Sequence, residues 1–189
     1  RNSTSWHRLQ NSVVGANKLL YSNSTNAEAT DEVNGHLNSF TSDGFIIDDP
    51  NADGLNNSSG TYVAWCWKAG GNSNTFNVDG RGYTTAAAAG ITDGNVAITG
   101  VSVNTEAGFS VVTYTGSTAS GALTVGHGLG KKPAWVIIKR RDASSDWIIG
   151  HKGLQTTSGG FANNKFLKFD TAAMFTLSLI HISEPTRPE

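Results

Sequence analysis

Few residues in this chain are of a type and spacing that could do chemistry. Asp49-Pro50-Asn51-Ala52-Asp53-Gly54 has the opening of a calcium loop, with oxygen ligands at alternate positions. Asp49, Asn51 and Asp53 would wrap a hard cation while Gly54 permits the turn. Gly60 stands where such a loop carries its bidentate Glu, so the ligand set is incomplete. Asx turns account for the same residues without metal. Ser, His and Asp all occur, yet no Gly-x-Ser-x-Gly elbow lifts a serine toward a base. His127, in Gly126-His127-Gly128, reads as a turn residue bonding backbone groups rather than as a base. Asp48 and Asp49 are adjacent and point apart if extended, which does not suit the facing carboxylates of glycoside cleavage. Cys66 is the single Cys and lies between Trp65 and Trp67, so it reads as a buried structural thiol. These residues point away from an enzyme. The remaining chemistry is sugar binding, which needs an exposed aromatic ring beside polar loop groups. Its candidates are the rings of Trp6 and Trp147 with Asn56 and Asn57 from the loop Asp49–Asn57.

The elements that must position these residues read as strands. The 189 residues include 22 Gly and only 15% charged residues, with many Asn, Ser and Thr. That balance disfavours helix bundles and favours short strands joined by tight turns. Phe109, Val111 and Thr113 alternate with Ser110, Val112 and Tyr114, the period of a half-buried strand. Pro133 opens the run Trp135-Val136-Ile137-Ile138, which reads as a strand covered on both faces. Trp147–His151 follows on a hairpin. Tyr62–Lys68 reads as a strand with Val63, Trp65 and Trp67 on one face, either a core layer, the simpler reading, or a sugar-stacking platform. Val96–Val103 also alternates. Tyr83–Ala89 is too short and too closely flanked by Gly for a stable helix.

The net charge is −1, and removing Arg187, Glu184 and Glu189 with the tail leaves the chain formally neutral. Neutrality gives no general attraction to nucleic acid or to a membrane surface. The basic cluster Lys139-Arg140-Arg141, with Lys131-Lys132 nearby, reads as strand-end and turn charge. No apolar run is long enough for a transmembrane helix.

Two parts of the chain resemble each other. Arg1–Trp6 matches Arg141–Trp147, and Asn17–Ala27 (NKLLYSNSTNA) matches Asn164–Ala172 (NKFLKFDTA). The two tryptophans are 141 positions apart, so the chain reads as a window on a tandem array. Residues 1–71 would be the C-terminal part of one β-sandwich repeat, 72–107 a Gly/Asn/Thr-rich connector, and 108–176 the N-terminal part of the next. The two parts could pack as one sandwich, incomplete or permuted. The tail Leu177–Arg187 (LSLIHISEPTR) looks like a translated sequencing adapter, so 177–189 is set apart from the fold.

The strings Gly108–Gly116, Val125–Leu129, Pro133–Asp142 with Trp147, Ser39–Phe45 and Tyr62–Gly71 carry a family resemblance. In this order they resemble repeat domains of tail-fibre and other virion proteins of environmental, especially marine, tailed phages. That resemblance implies an all-β fold: an antiparallel β-sandwich of the jelly-roll or concanavalin A-like type. It implies a non-enzymatic structural module in the phage tail, with other virion subunits and a host-surface glycan as partners and homo-oligomers as an option. The alternatives are a lectin-like module of a secreted bacterial protein and, third, a glycan-cleaving enzyme on a sandwich fold.

Overall fold

The computed structural model describes residues 6–30, 37–47, 55–154 and 166–169. These residues are all-β apart from one 3-10 turn, Lys152–Leu154, as expected of a sandwich-like fold. In chain order the strands are β1 (Arg8–Asn11), β2 (Gly15–Tyr21), β3 (Ala29–Thr30), β4 (Leu37–Phe40), β5 (Phe45–Ile47) and β6 (Phe76–Val78). They continue with β7 (Arg81–Tyr83), β8 (Ile98–Asn104), β9 (Phe109–Tyr114), β10 (Trp135–Lys139) and β11 (Trp147–His151). Four sheets result: β1-β2-β3, β4-β5, β7-β6-β8-β9 and β10-β11. Every named pair is antiparallel except β6 with β8, which run parallel.

The four-stranded sheet holds the core. β8 is flanked on both edges, and its Val101 and Val103 are fully buried. Each such burial contributes about 1.5–3 kcal/mol relative to exposure. The register pairs Phe76 with Val101 and Val78 with Val103, so one face of the sheet is apolar and packs with Ile91, Val112 and Leu129. The same register places Asn77 opposite Ser102 on the other face. There the Ser102 hydroxyl donates to Asn77 Oδ1 (2.7 Å) and accepts from Gly70 N–H (2.8 Å). Asn77 Nδ2 donates to Asn74 O at 2.6 Å, so the buried polar pair is satisfied.

Turn chemistry sets the edges of this sheet. β6 and β7 are joined by Asp79-Gly80, both at positive φ (48° and 84°), which is the two-residue hairpin loop favoured by Asp-Gly. The Asp79 carboxylate accepts from Thr105 N–H (2.8 Å) and from the Thr105 hydroxyl (2.6 Å). Those bonds hold its carboxyl below the usual carboxylate value. Gly128 has φ +72°, and a Cβ there would stand 2.8 Å from Ile91 and 2.9 Å from Val103. The Gly126–Leu129 turn thus lies directly on the core. Thr85–Gly90 makes a single turn, with Ala88 N–H bonded to the Thr85 hydroxyl, and no helix. The stretch 72–107, expected as a connector, supplies β6, β7 and β8. It joins β9 in one sheet.

The β1–β2 hairpin touches this sheet through Val13. Gly100 of β8 leaves room for that side chain, because a Cβ at 100 would lie 2.8 Å from Val13 Cγ1. β2 buries Leu19 and Leu20.

Three expectations are corrected. Among the described residues Tyr62–Lys68 pairs with no strand, and it is not a core layer: Trp65 is 74% exposed and Trp67 60%. Cys66 between them is exposed rather than buried. β10 is not covered on both faces, since Trp135, Ile137 and Ile138 are all exposed. An apolar run reads the same whether neighbours cover it or not, and these runs lie where the described residues do not cover them. The tail 177–189 lies outside the described residues.

Candidate functional site

A set of specific contacts joins the two resembling parts of the chain. The loop that follows β2, Tyr21–Glu28, is shaped by its own bonds: Ser24 N–H donates to Tyr21 O, and Asn26 N–H to the Ser24 hydroxyl. It meets the β10–β11 hairpin tip, Lys139–Trp147. Trp147 is 2% exposed, and its indole N–H reaches Tyr21 O (2.9 Å) and Ser24 O (3.0 Å). Ser145 N–H donates to Thr25 O at 2.9 Å. Lys139 Nζ donates to Thr25 O (2.9 Å) and to Ser145 O (2.7 Å).

The seam closes on an ion pair. Arg141 Nε and Nη2 donate to the two carboxylate oxygens of Glu28, at 2.6 and 2.9 Å. The Glu28 backbone N–H returns a bond to Arg141 O at 2.7 Å. Hydrogen bonding to Glu28 pushes the Arg141 guanidinium above its ordinary value, against a smaller opposing effect of burial. Two-pronged geometry of this kind fixes orientation as well as adding energy. The basic cluster is therefore taken up by the fold: Arg140 pairs with Asp142, Arg141 with Glu28, and Lys139 with backbone carbonyls.

The sugar-site candidates separate. Trp147 is closed off inside the seam, with its ring tilted 6.2 Å from Phe169, so its face is not available to a sugar. Trp6 is 49% exposed and meets Tyr21 edge-on at 4.5 Å. Asn57 belongs to a different turn, where its N–H donates to the Tyr62 hydroxyl and its carbonyl accepts from Gly60. Asn56 adjoins it there. Asp49, Asn51 and Asp53 lie outside the described residues. Among the described residues, no three His, Cys, Asp or Glu side chains come together as a metal set. His127 Nδ1 accepts from Leu129 N–H at 3.1 Å, the backbone role expected of it. His151 does the same for Gly153.

A second feature is the exposed apolar segment Tyr62–Lys68. Trp67 stacks on Phe109 at 6.2 Å and 19°, while Trp65 stands out into solvent.

A family model described as a domain of unknown function (DUF7483) matches residues 1–186. The chain belongs to that family. No curated protein and no solved structure matches this DUF7483 chain. Sequence reasoning marked Trp6 and Trp147 through their recurrence, but it missed Glu28, Thr25 and Ser24. The recurrence was the one signal pointing to the seam, since it set both tryptophans beside equivalent loops.

Proposed function

We propose that this chain is a non-enzymatic structural module of a virion fibre, built from tandem units that lock to one another. The observation that carries this reading is Trp147, buried at the start of the second resembling part and donating its indole N–H to two carbonyls of the first. A contact of that kind repeats along an array, so each unit caps the loop of the one before it. The similarity of its motif strings to phage tail-fibre repeats supports the setting, with other virion subunits as partners. Antibody raised against this chain, applied to density-purified viral particles from a marine sample, should decorate tail fibres. Label found only in the cellular fraction would overturn the reading.

A second reading is favoured by a separate observation, the exposure of Trp65 and Trp67. Rings presented this way can stack on host-surface sugars. A glycan array should then show saturable binding that Trp65→Ala abolishes in a folded chain. Equal signals from both chains would remove the sugar role.

A further inference from the structure

We propose that Tyr62–Lys68 pairs antiparallel with the same segment of a second copy of this chain, about a twofold axis at Trp65. The pairing rests on neither the virion nor the sugar reading.

The segment is held extended and left unpaired. Between Gly60 and Ala69 the chain makes no turn or bend. At its start Asn57 N–H donates to the Tyr62 hydroxyl at 2.9 Å. At its end Gly70 N–H donates to the Ser102 hydroxyl at 2.8 Å, and Gly70 O accepts from Gly80 N–H. Near that end Trp67 stacks on Phe109 of β9. Among the described residues, no backbone N–H or C=O of residues 63–68 makes a hydrogen bond. Residues 61–68 are exposed throughout. A strand fixed at both ends has already lost much of its conformational freedom, so pairing costs little further ordering. Its unmet backbone groups and alternating apolar side chains are a template for another strand.

The order of residues in the segment selects a second copy. With Trp65 opposite its mate, Val63 opposes Trp67, Ala64 opposes Cys66 and Tyr62 opposes Lys68. On one face each ring then meets an aromatic or a β-branched side chain, and on the other the small residues meet. Trp65 takes the non-hydrogen-bonded site, where opposed side chains come closest, so Ala64 and Cys66 exchange the backbone bonds. Lys68 is the one charge in the segment, and the pairing sets the two lysines at its outer ends. The whole chain carries a net charge of only −1, so copies repel each other little. A standard interface takes about 20–30 residues a side, so a seven-residue strand makes a reversible, concentration-dependent pair.

The test is sedimentation equilibrium of the full chain under reducing conditions, from low to high micromolar concentration, with amide hydrogen exchange at both ends of the range. A monomer–dimer equilibrium is expected, with protection over residues 62–68 rising with concentration and β8 unchanged. A64P keeps every ring but withdraws one edge N–H, and should weaken the dimer at least about tenfold. W65K and W65E each set like charges opposite one another, so either alone should be monomeric and their mixture should recover a 1:1 dimer. Position 65 is exposed, so these two variants serve where A64P fails to fold. A chain monomeric throughout, a dimer indifferent to A64P and to both charges, or protection rising elsewhere would each overturn the proposal. A64P leaves the Trp65 ring in place, so glycan binding by that variant tests the sugar reading separately.

Discussion

At the scale of single residues, Trp147 carries the sharpest expectation. W147F keeps a ring in the seam but withdraws the donor that serves Tyr21 O and Ser24 O. Unfolding in urea should show a loss of about 1–3 kcal/mol, the cost of leaving buried acceptors unmet. An unchanged midpoint would mean that water satisfies those carbonyls and the seam is loose. Asp79 gives a pH signature. Its carboxyl is held below the ordinary 3.8 by the two Thr105 bonds. A lowered folded value contributes stability that is present above the unfolded pKa and lost as pH falls through the folded one. The urea midpoint should therefore drop as pH is taken below about 3.8, and D79N should flatten part of that drop. Asn tolerates the positive φ at this position, so the turn survives the change. Asp142, lowered by its hydrogen bonds to Arg140 and to its own backbone and by the Arg140 charge, supplies acid sensitivity that D79N leaves in place.

At the scale of elements, two glycines separate strain from crowding. Gly108 and Gly128 both have positive φ, but a Cβ at 108 meets nothing within 4 Å while one at 128 strikes Ile91 and Val103. G108A should cost about 1–2 kcal/mol from backbone strain alone. G128A should cost that and about 1–3 kcal/mol more from overpacking. Equal losses in thermal unfolding would show that the Gly126–Leu129 turn can lift off the core. The alternating strings around Val101 and Val111 were legible as strands, because a half-buried surface writes its period into the chain. So were the Gly-rich turn and the β10–β11 hairpin. Tyr62–Lys68 misled for the opposite reason. Its alternating aromatics match the strand period, but pairing depends on a partner that the segment's own letters do not name. β10 shows the same limit, since its apolar run does not say whether other elements cover it. The parallel pairing of β6 with β8 was likewise unreadable, since it depends on how the chain crosses between them.

At the scale of the whole molecule, the seam ties residue 28 to residue 141 and residue 21 to residue 147. A double-mutant cycle on Glu28 and Arg141 should show coupling of about 1 kcal/mol, modest because Arg141 is partly exposed and screened by salt. Additive single changes would show that the backbone bonds alone hold the loop to the hairpin. Two copies of the repeat in one chain should melt at a higher temperature than one, since neighbouring units stabilise each other. The recurrence of Trp6 and Trp147 is the sequence feature on which the proposed array rests. The loop Tyr21–Glu28 that receives Trp147 stayed hidden, because its contacts are mostly main-chain carbonyls, which any residue carries.

The gap left at Gly100 works as an alignment key. It admits the side chain of Val13 against β8 and so indexes the first hairpin on the central sheet. The loop carrying Ser24 and Glu28 departs from that same hairpin. An alanine at position 100 would crowd Val13 Cγ1, the Thr113 hydroxyl and the Thr75 methyl, so the side chains that seat the hairpin on β8 would have to give way. The placing of the seam loop thus rests on the smallest side chain as much as on the largest.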